Sequence, residues 1–376
     1  MRQFAGAEAA AERWCRPWRL QAGASEILLL LAATDTAAVA GISAAGATPA
    51  SRLQTAAADA ELLLQGPAVR RSHRLPPLPA GVSPALISHV VVAELGLAPL
   101  VVDLGCAVAP AVPHLRLAGQ QAPARCLSSG AAMAAQRVGG LLRQGRLWGE
   151  QLARSGRPLL IAECVPGGTT SAQALLTGLG LEVAGLVSGS MPGPVHGLKA
   201  ELVRRGLRAA ALEPGSGQTV DPRAVVMALG DPMQPLAAAL VVAAASAGLP
   251  LLLAGGSQMA AVLALALALA PVERRGAIAA LVAVGTTAWV ADEATSDLAQ
   301  LLARIGAHWG VAPLGFAADL HFGPDCHPAL QDYERGFVKE GVGAGGLALL
   351  WQLAGRSPAA LELACDRACR LLLAAD

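Results

Sequence analysis

The stretch RGFVKEGVGAGGLALLW, residues 335–351, sets one carboxylate, Glu340, between a lysine and a run of glycines, just ahead of an apolar segment with helical spacing. On its own a helix cap accounts for it. AECVPGGTTSA is richer in chemistry: Glu163 sits at the end of an apolar run, and Gly167, Gly168, Thr169 and Thr170 follow. Glycines let backbone N–H groups approach a phosphate, and a helix N-terminus adds unsatisfied donors and a favourable dipole. The same residues also describe a plain strand-to-helix turn with a threonine cap. LAGGSQMAA repeats the form with Gly255, Gly256 and Ser257, the serine read as a helix cap. Asp103, in VVDLG, also ends an apolar run, and carboxylates at buried strand ends are costly unless paired or functional. Asp35 and Asp231 are weaker cases. Lys199, in HGLKAELVRRGL, has the reach for a phosphate but also fits a solvated helix lysine.

These candidates need a scaffold that brings post-strand turns together. A strand, glycine-rich turn and helix recur without a fixed repeat: EILLLLAATD, APLVVDLG, PLLIAECVPGG, LPLLLAGG and IAALVAVGTTAWV each read as a strand with its turn. Strands alternating with helices predict an α/β fold, a mostly parallel doubly wound, Rossmann-like sheet with right-handed crossovers. In such sheets ligands bind outside the carboxyl ends of the strands, where the candidate turns lie. Segments 66–84 and 107–126 are Pro-rich and read as irregular loops. The expected organisation is an α/β domain over 25–350, with residues 1–24 and 351–376 forming a smaller helical layer on it.

Composition narrows the classes of function. The chain has 28 basic and 27 acidic residues, so there is no electrostatic footprint for nucleic acid or an anionic membrane. Seven cysteines form no C-x-x-C pair, His196, His321 and His327 lack metal-ligand spacing, and reduced thiols in the cytoplasm are expected. The N-terminus alternates charge and has no uninterrupted apolar stretch, so no secretory signal is read there. The run from Pro232 to Val272 carries no charge. It is broken at Gly248, Pro250 and Gly255-Gly256, and reads as helix, buried strand and helix rather than a membrane span. The AECVPGGTTSA turn is neither a Walker loop, since the lysine is missing, nor a G-x-G-x-x-G fingerprint, and no G-x-S-x-G or H-E-x-x-H pattern occurs in the chain.

The order VVDLG, SSGAAM, AECVPGGTTSAQALL, HGLK, GDPMQP, LAGGSQMAAVLA and KEGVGAGG resembles the nicotinate-nucleotide:dimethylbenzimidazole phosphoribosyltransferase family, the CobT-like enzymes of cobalamin synthesis. It is most similar to the archaeal and cyanobacterial branch, over roughly residues 25 to 355. The resemblance implies transfer of a phosphoribosyl group from nicotinate mononucleotide to dimethylbenzimidazole, adenine or another purine-like base, giving an α-ribotide and nicotinate. It also implies a homodimer that needs no metal or other cofactor. KEGVGAGG matches the family's GEGTGA, which makes Glu340 the general base, with Gly341 and Gly343 leaving room for a flat ring. ECVPGGTT matches EMGIGNTT, which puts Glu163 near the ribose and Gly167 to Thr170 at the phosphate. HGLK supplies Lys199 as a phosphate lysine, and Asp103 falls on the VDVG aspartate, as a structural residue or a contact. The family's PPGSLG is missing, GHRSAEPGH is faintly echoed by VGTTAWVADEATSD, and the Asn of GNTT is Gly168 here. A non-catalytic nucleotide- or corrinoid-precursor-binding protein of the same fold is the second reading.

Overall fold

The computed structural model describes residues 1–375 apart from 118, 120, 121, 190, 192, 194 and 213–219. Its centre is one eight-stranded sheet: β1 (Arg2–Ala5), β2 (Glu26–Leu31), β3 (Leu100–Asp103), β4 (Leu115–Arg116), β5 (Leu159–Cys164), β6 (Leu251–Ala254), β7 (Val282–Thr287) and β8 (Leu314–Ala318). The strand order is β1-β8-β7-β6-β5-β2-β3-β4. Every pair is parallel except β1 with β8.

The alternation along each strand sorts side chains to two apolar layers, as the pleat requires. Leu28, Leu30, Leu159, Ile161, Leu251, Leu253 and Val284 face one core, packed under the helices Ala135–Ala153, Gly168–Gly178, Met233–Ser246 and Ser257–Leu269. Ile27, Leu29, Leu31, Leu160, Ala162, Leu252 and Phe316 face the other, under Thr55–Gln65, Ala85–Glu94 and Ala344–Leu353. Helices from both ends of the chain, Glu8–Gln21 and Pro358–Ala375, join this second layer; Trp14 stacks on Phe316 at 5.1 Å. The expected doubly wound α/β fold is therefore present.

The uncharged run from Pro232 folds as helix Met233–Ser246, strand β6 and helix Ser257–Leu269. Among the described residues no helix is long and apolar enough to cross a membrane. Strands β1, β4 and β8 were not among the expected elements. β8 reads LGFAA, too small and glycine-bearing to carry a strand signal, and β1 is a four-residue edge. β4 lies inside the irregular segment 107–126, of which residues 118, 120 and 121 lie outside the described residues.

The chain turns from β2 to β3 on one side, while β5 lies on the other. The order therefore reverses between β2 and β5, the kind of switch point at which turns diverge and leave a crevice. Gly167, after β5, lies here against Ala37, after β2: a Cβ on the glycine would be 3.1 Å from the Ala37 nitrogen.

Candidate functional site

The turns after β5 and β6 open on a cavity of about 280 Å³. One wall is made of Val165–Thr169, Ser188, Gly189 and Gly256–Gln258; the opposite wall is made of Thr55, Asp59, Leu75–Leu78 and Gly81–Pro84; Glu163 and Glu340 both line it.

Glu340 precedes the helix Ala344–Leu353, whose N-cap is Gly343. Its Oε1 accepts the amides of Gly341 and Gly345, both at 3.1 Å, while Oε2 accepts the Thr286 hydroxyl at 3.0 Å and the Thr287 amide at 3.1 Å. These donors come from the end of β7, the turn before the helix and the helix's first turn, so the carboxylate is fixed in place rather than swinging. Gly345 has to be glycine, since a Cβ there would lie 2.1 Å from the Thr286 carbonyl carbon and 2.5 Å from Glu340 Oε2. Burial raises the proton affinity of Glu340, and its hydrogen bonds from Gly345, Gly341, Thr286 and Thr287 oppose that shift.

Glu163, 3% exposed, accepts the Val165 amide at 2.9 Å and the Gln258 side-chain amide at 2.7 Å. Burial, then the nearby charge of Asp231, pushes its pKa up to about 8, with Glu340 adding a smaller like-charge contribution. Near neutral pH Glu163 therefore holds a proton. Burial raises both carboxyls, but four hydrogen bonds favour the charged form of Glu340 against two for Glu163, so Glu340 is the better placed of the two to act as a base. Gly168 makes this arrangement possible: a Cβ at 168 would fall 1.6 Å from Gln258 Oε1, so the space beside the turn is filled by the Gln258 carboxamide instead.

A polar cluster lies behind the two glycine turns. The Ser188 amide donates to the Ser257 hydroxyl at 2.9 Å, and the Ser188 hydroxyl donates to Glu293 at 2.5 Å. Lys199, 1% exposed, donates to the Ser188 carbonyl at 2.7 Å. Burial lowers its pKa to about 8, with Glu293 opposing that shift and Lys339 adding to it. Lys339 does reach the cavity wall; its ammonium lies 2.7 Å from Glu293.

The cavity thus brings together eight of the residues singled out from the sequence: Glu163, Gly167, Gly168, Thr169, Gly256, Ser257, Glu340 and Gly341. The other five lie off its lining. Lys199 sits behind Ser188, Thr170 is buried in the helix Gly168–Gly178, and Gly255 lies in the turn after β6. Gly343 caps the helix Ala344–Leu353 against Ala162, and Asp103 folds its own turn by accepting the Gly105 and Cys106 amides and pairing with Arg116 at 3.0 Å.

Two expected caps are corrected. Gly256 and not Ser257 holds the cap position of Ser257–Leu269, because the Ser257 hydroxyl is already taken by Ser188. Gly167 and not a threonine caps Gly168–Gly178, with no side-chain cap at all. Sequence reasoning missed Asp59, Ser83, Gln258 and Lys339. Lys339 was next to the motif that found Glu340, and Asp59 is one of only two acids in the Ala- and Leu-rich helix Thr55–Gln65.

Comparison with known proteins gives the chain its family and its fold relatives. A family model described as Phosphoribosyltransferase, DBI_PRT, matches residues 85–285. A UPF0284 protein of Prochlorococcus marinus (strain MIT 9313) is 53% identical over 98% of this chain and 92% of its own length. A UPF0284 protein of Parasynechococcus marenigrum (strain WH8102) is 52% identical, over 95% and 90%. The crystal structure of CobT from Thermus thermophilus superposes with a TM-score of 0.58 at 21% identity, covering 98% of this chain and 92% of that one, a likeness of fold. The chain belongs to the DBI_PRT phosphoribosyltransferase family, alongside its UPF0284 relatives, and shares the fold of CobT.

Proposed function

We propose that the protein transfers the phosphoribosyl group of nicotinate mononucleotide to a ring nitrogen of a lower-ligand base, a benzimidazole or a purine, giving an α-ribotide and free nicotinate for cobalamin-type cofactor synthesis. The observation that carries this reading is that Glu340, fixed by four donors, lines the same cavity as the two glycine turns. In this reading Gly167, Gly168, Thr169, Gly256 and Ser257 hold the phosphate. Lys339 is in the wall, and Lys199 lies one residue behind, through Ser188.

The chemistry follows from these places. The base nitrogen forms a bond to the anomeric carbon as the bond to nicotinate breaks, and its electron pair leaves with the nicotinate ring nitrogen. Positive charge develops on the ribose and then on the azole, where the Glu340 carboxylate stabilises it and accepts the azole N–H proton. Protonated Glu163 faces the ribose without adding a second negative charge there. Holding both reactants in one closed space supplies a further share of the rate. The homodimer and cytoplasmic setting implied by the family resemblance belong to this same proposal.

The test is to incubate the purified full-length chain with nicotinate mononucleotide and a panel of benzimidazoles and purines, and to separate the products. Release of nicotinate in step with an α-ribotide supports the reading. Tight nucleotide binding with no product from any base would replace it with a binding protein.

A further inference from the structure

We propose that Asp59 reads a second edge of the acceptor base, selecting rings that present an amino or N–H donor there over rings that present a methyl group. The inference rests on the acceptor half of the function proposed above and goes beyond it by naming the residue that chooses the base.

Asp59 is 5% exposed and lines the cavity. Its Oδ1 accepts the Ser83 hydroxyl at 2.6 Å, a strong bond, whereas among the described residues Oδ2 has only the Cys164 thiol at 3.5 Å, a weak donor. A carboxylate offers about four lone-pair sites, so this one faces the cavity with acceptor capacity in hand. Burial raises its pKa to about 6, with Ser83, Cys164 and then Arg71 opposing that shift, so binding is measured above that pH, where Asp59 is a carboxylate. Thr55, one turn earlier in the helix, cannot answer Asp59, because its hydroxyl donates to the Ala45 carbonyl.

The position relative to Glu340 sets what Asp59 meets. Gly341 faces Pro84, to which its Cβ would be 3.5 Å; Ser83 is the next residue, and Ser83 is bonded to Asp59. Glu340 and Asp59 therefore lie along one wall, separated by Pro84 and Ser83. The cavity that Asp59 and Glu340 share is also lined by the apolar side chains of Leu75, Pro76, Leu78 and Val82. A flat ring that gives its N–H to Glu340 slides between these apolar surfaces and turns another edge to Asp59. A donor on that edge satisfies the carboxylate. A methyl group strips it of water and returns nothing, which is the situation in which a built polar site rejects a close analogue strongly.

The experiment is calorimetric binding of matched pairs to the full-length chain saturated with ribose 5-phosphate, which carries no nicotinate to be displaced: 5-aminobenzimidazole against 5-methylbenzimidazole, and adenine against unsubstituted purine. The wild-type chain should favour the amino member of each pair by about ten- to hundredfold, the range for a hydrogen bond to a charged group. Asp59→Asn keeps an acceptor for Ser83 but turns an amide donor to the cavity, and should bring both ratios within about threefold. Each ratio is taken within one protein, so a reduced folded fraction cancels, and the wild-type ratios decide even if the variant does not fold. Equal or tighter binding of the methyl or unsubstituted member by the wild type overturns the assignment, as does an unchanged ratio in Asp59→Asn or no binding by any base. Expected ratios without nicotinate release would sink the transferase reading and leave Asp59 in place. Normal turnover without a ratio would do the reverse.

Discussion

The two walls of the cavity are built differently. The turn wall is largely backbone: Gly167, Gly168 and Gly256 bring the chain itself to the cavity at the carboxyl ends of β5 and β6, with the Gly168 N–H given to the Val165 carbonyl, and their positions follow from the parallel sheet. The acceptor wall is side chain: Asp59, Ser83 and Glu340 come from segments far apart in sequence and meet only after folding. A grip spread over many backbone donors is insensitive to any one side chain, whereas chemistry on one carboxylate is lost with it.

The largest effect expected from this contrast is at Glu340. Glu340→Gln retains the shape but not the base, and should lower kcat about 10²–10⁴-fold, the usual share of general base catalysis. Nicotinate mononucleotide affinity, followed by calorimetry, should stay within about threefold. Equal losses in turnover and in nucleotide affinity would mean that the walls act as one and the contrast is wrong.

Next in size is a test of whether the turn wall truly dispenses with side-chain charge. Lys339 and Glu293 form a pair whose side chains are 4% and 6% exposed. Removing one partner leaves the other charge buried, and Lys339→Met should cost about 3–5 kcal/mol of unfolding free energy. Removing both, in Lys339→Met with Glu293→Gln, should recover most of that. Denaturant titration of the three proteins measures it. A Lys339→Met chain of ordinary stability that no longer binds nucleotide would show instead that the ammonium is given to the phosphate, and the turn wall would need a side chain after all.

The same contrast explains what the sequence made legible. Apolar runs ending in glycines identified β5 and β6 and their turns, because strand, turn and helix are local and a parallel sheet puts all such turns on one edge. Glu340 was found through its glycine-rich motif, yet nothing local says that Thr286 and Thr287 hold it, since those contacts cross more than fifty residues. Asp59 stayed hidden for the same reason: the Pro-rich stretch opposite it reads as an irregular loop, and only the folded chain sets Ser83 on the helix Thr55–Gln65. Lys199 shows another limit of locality: its motif says nothing of the Ser188 carbonyl, which takes one of its three ammonium donors and sets it behind the cavity lining.

The smallest effect expected is a pH dependence of stability that separates the walls by where they titrate. Burial pushes Asp59 and Asp231 up to about 6, and burial with the Asp231 charge pushes Glu163 to about 8. Between their ordinary values near 4 and these raised ones, the folded chain holds protons that the unfolded chain has released. Stability therefore falls as pH rises through this window. Glu293 is shifted the other way: burial favours its neutral form, but hydrogen bonds from Lys339 and Ser188 outweigh this, so its contribution is lost only in acid below its ordinary range. Lys199, lowered to about 8, makes stability rise again above that pH. The urea midpoint should thus be highest near pH 4 and decline toward pH 8. Glu163→Gln, neutral at every pH, should flatten the part between about 6 and 8, and Asp59→Asn the part below about 6. A midpoint that climbs from pH 5 to 8 in the wild type would mean that these carboxyls are charged in the folded chain. Glu163 could then not serve as the neutral partner that leaves Glu340 to act as the charged base.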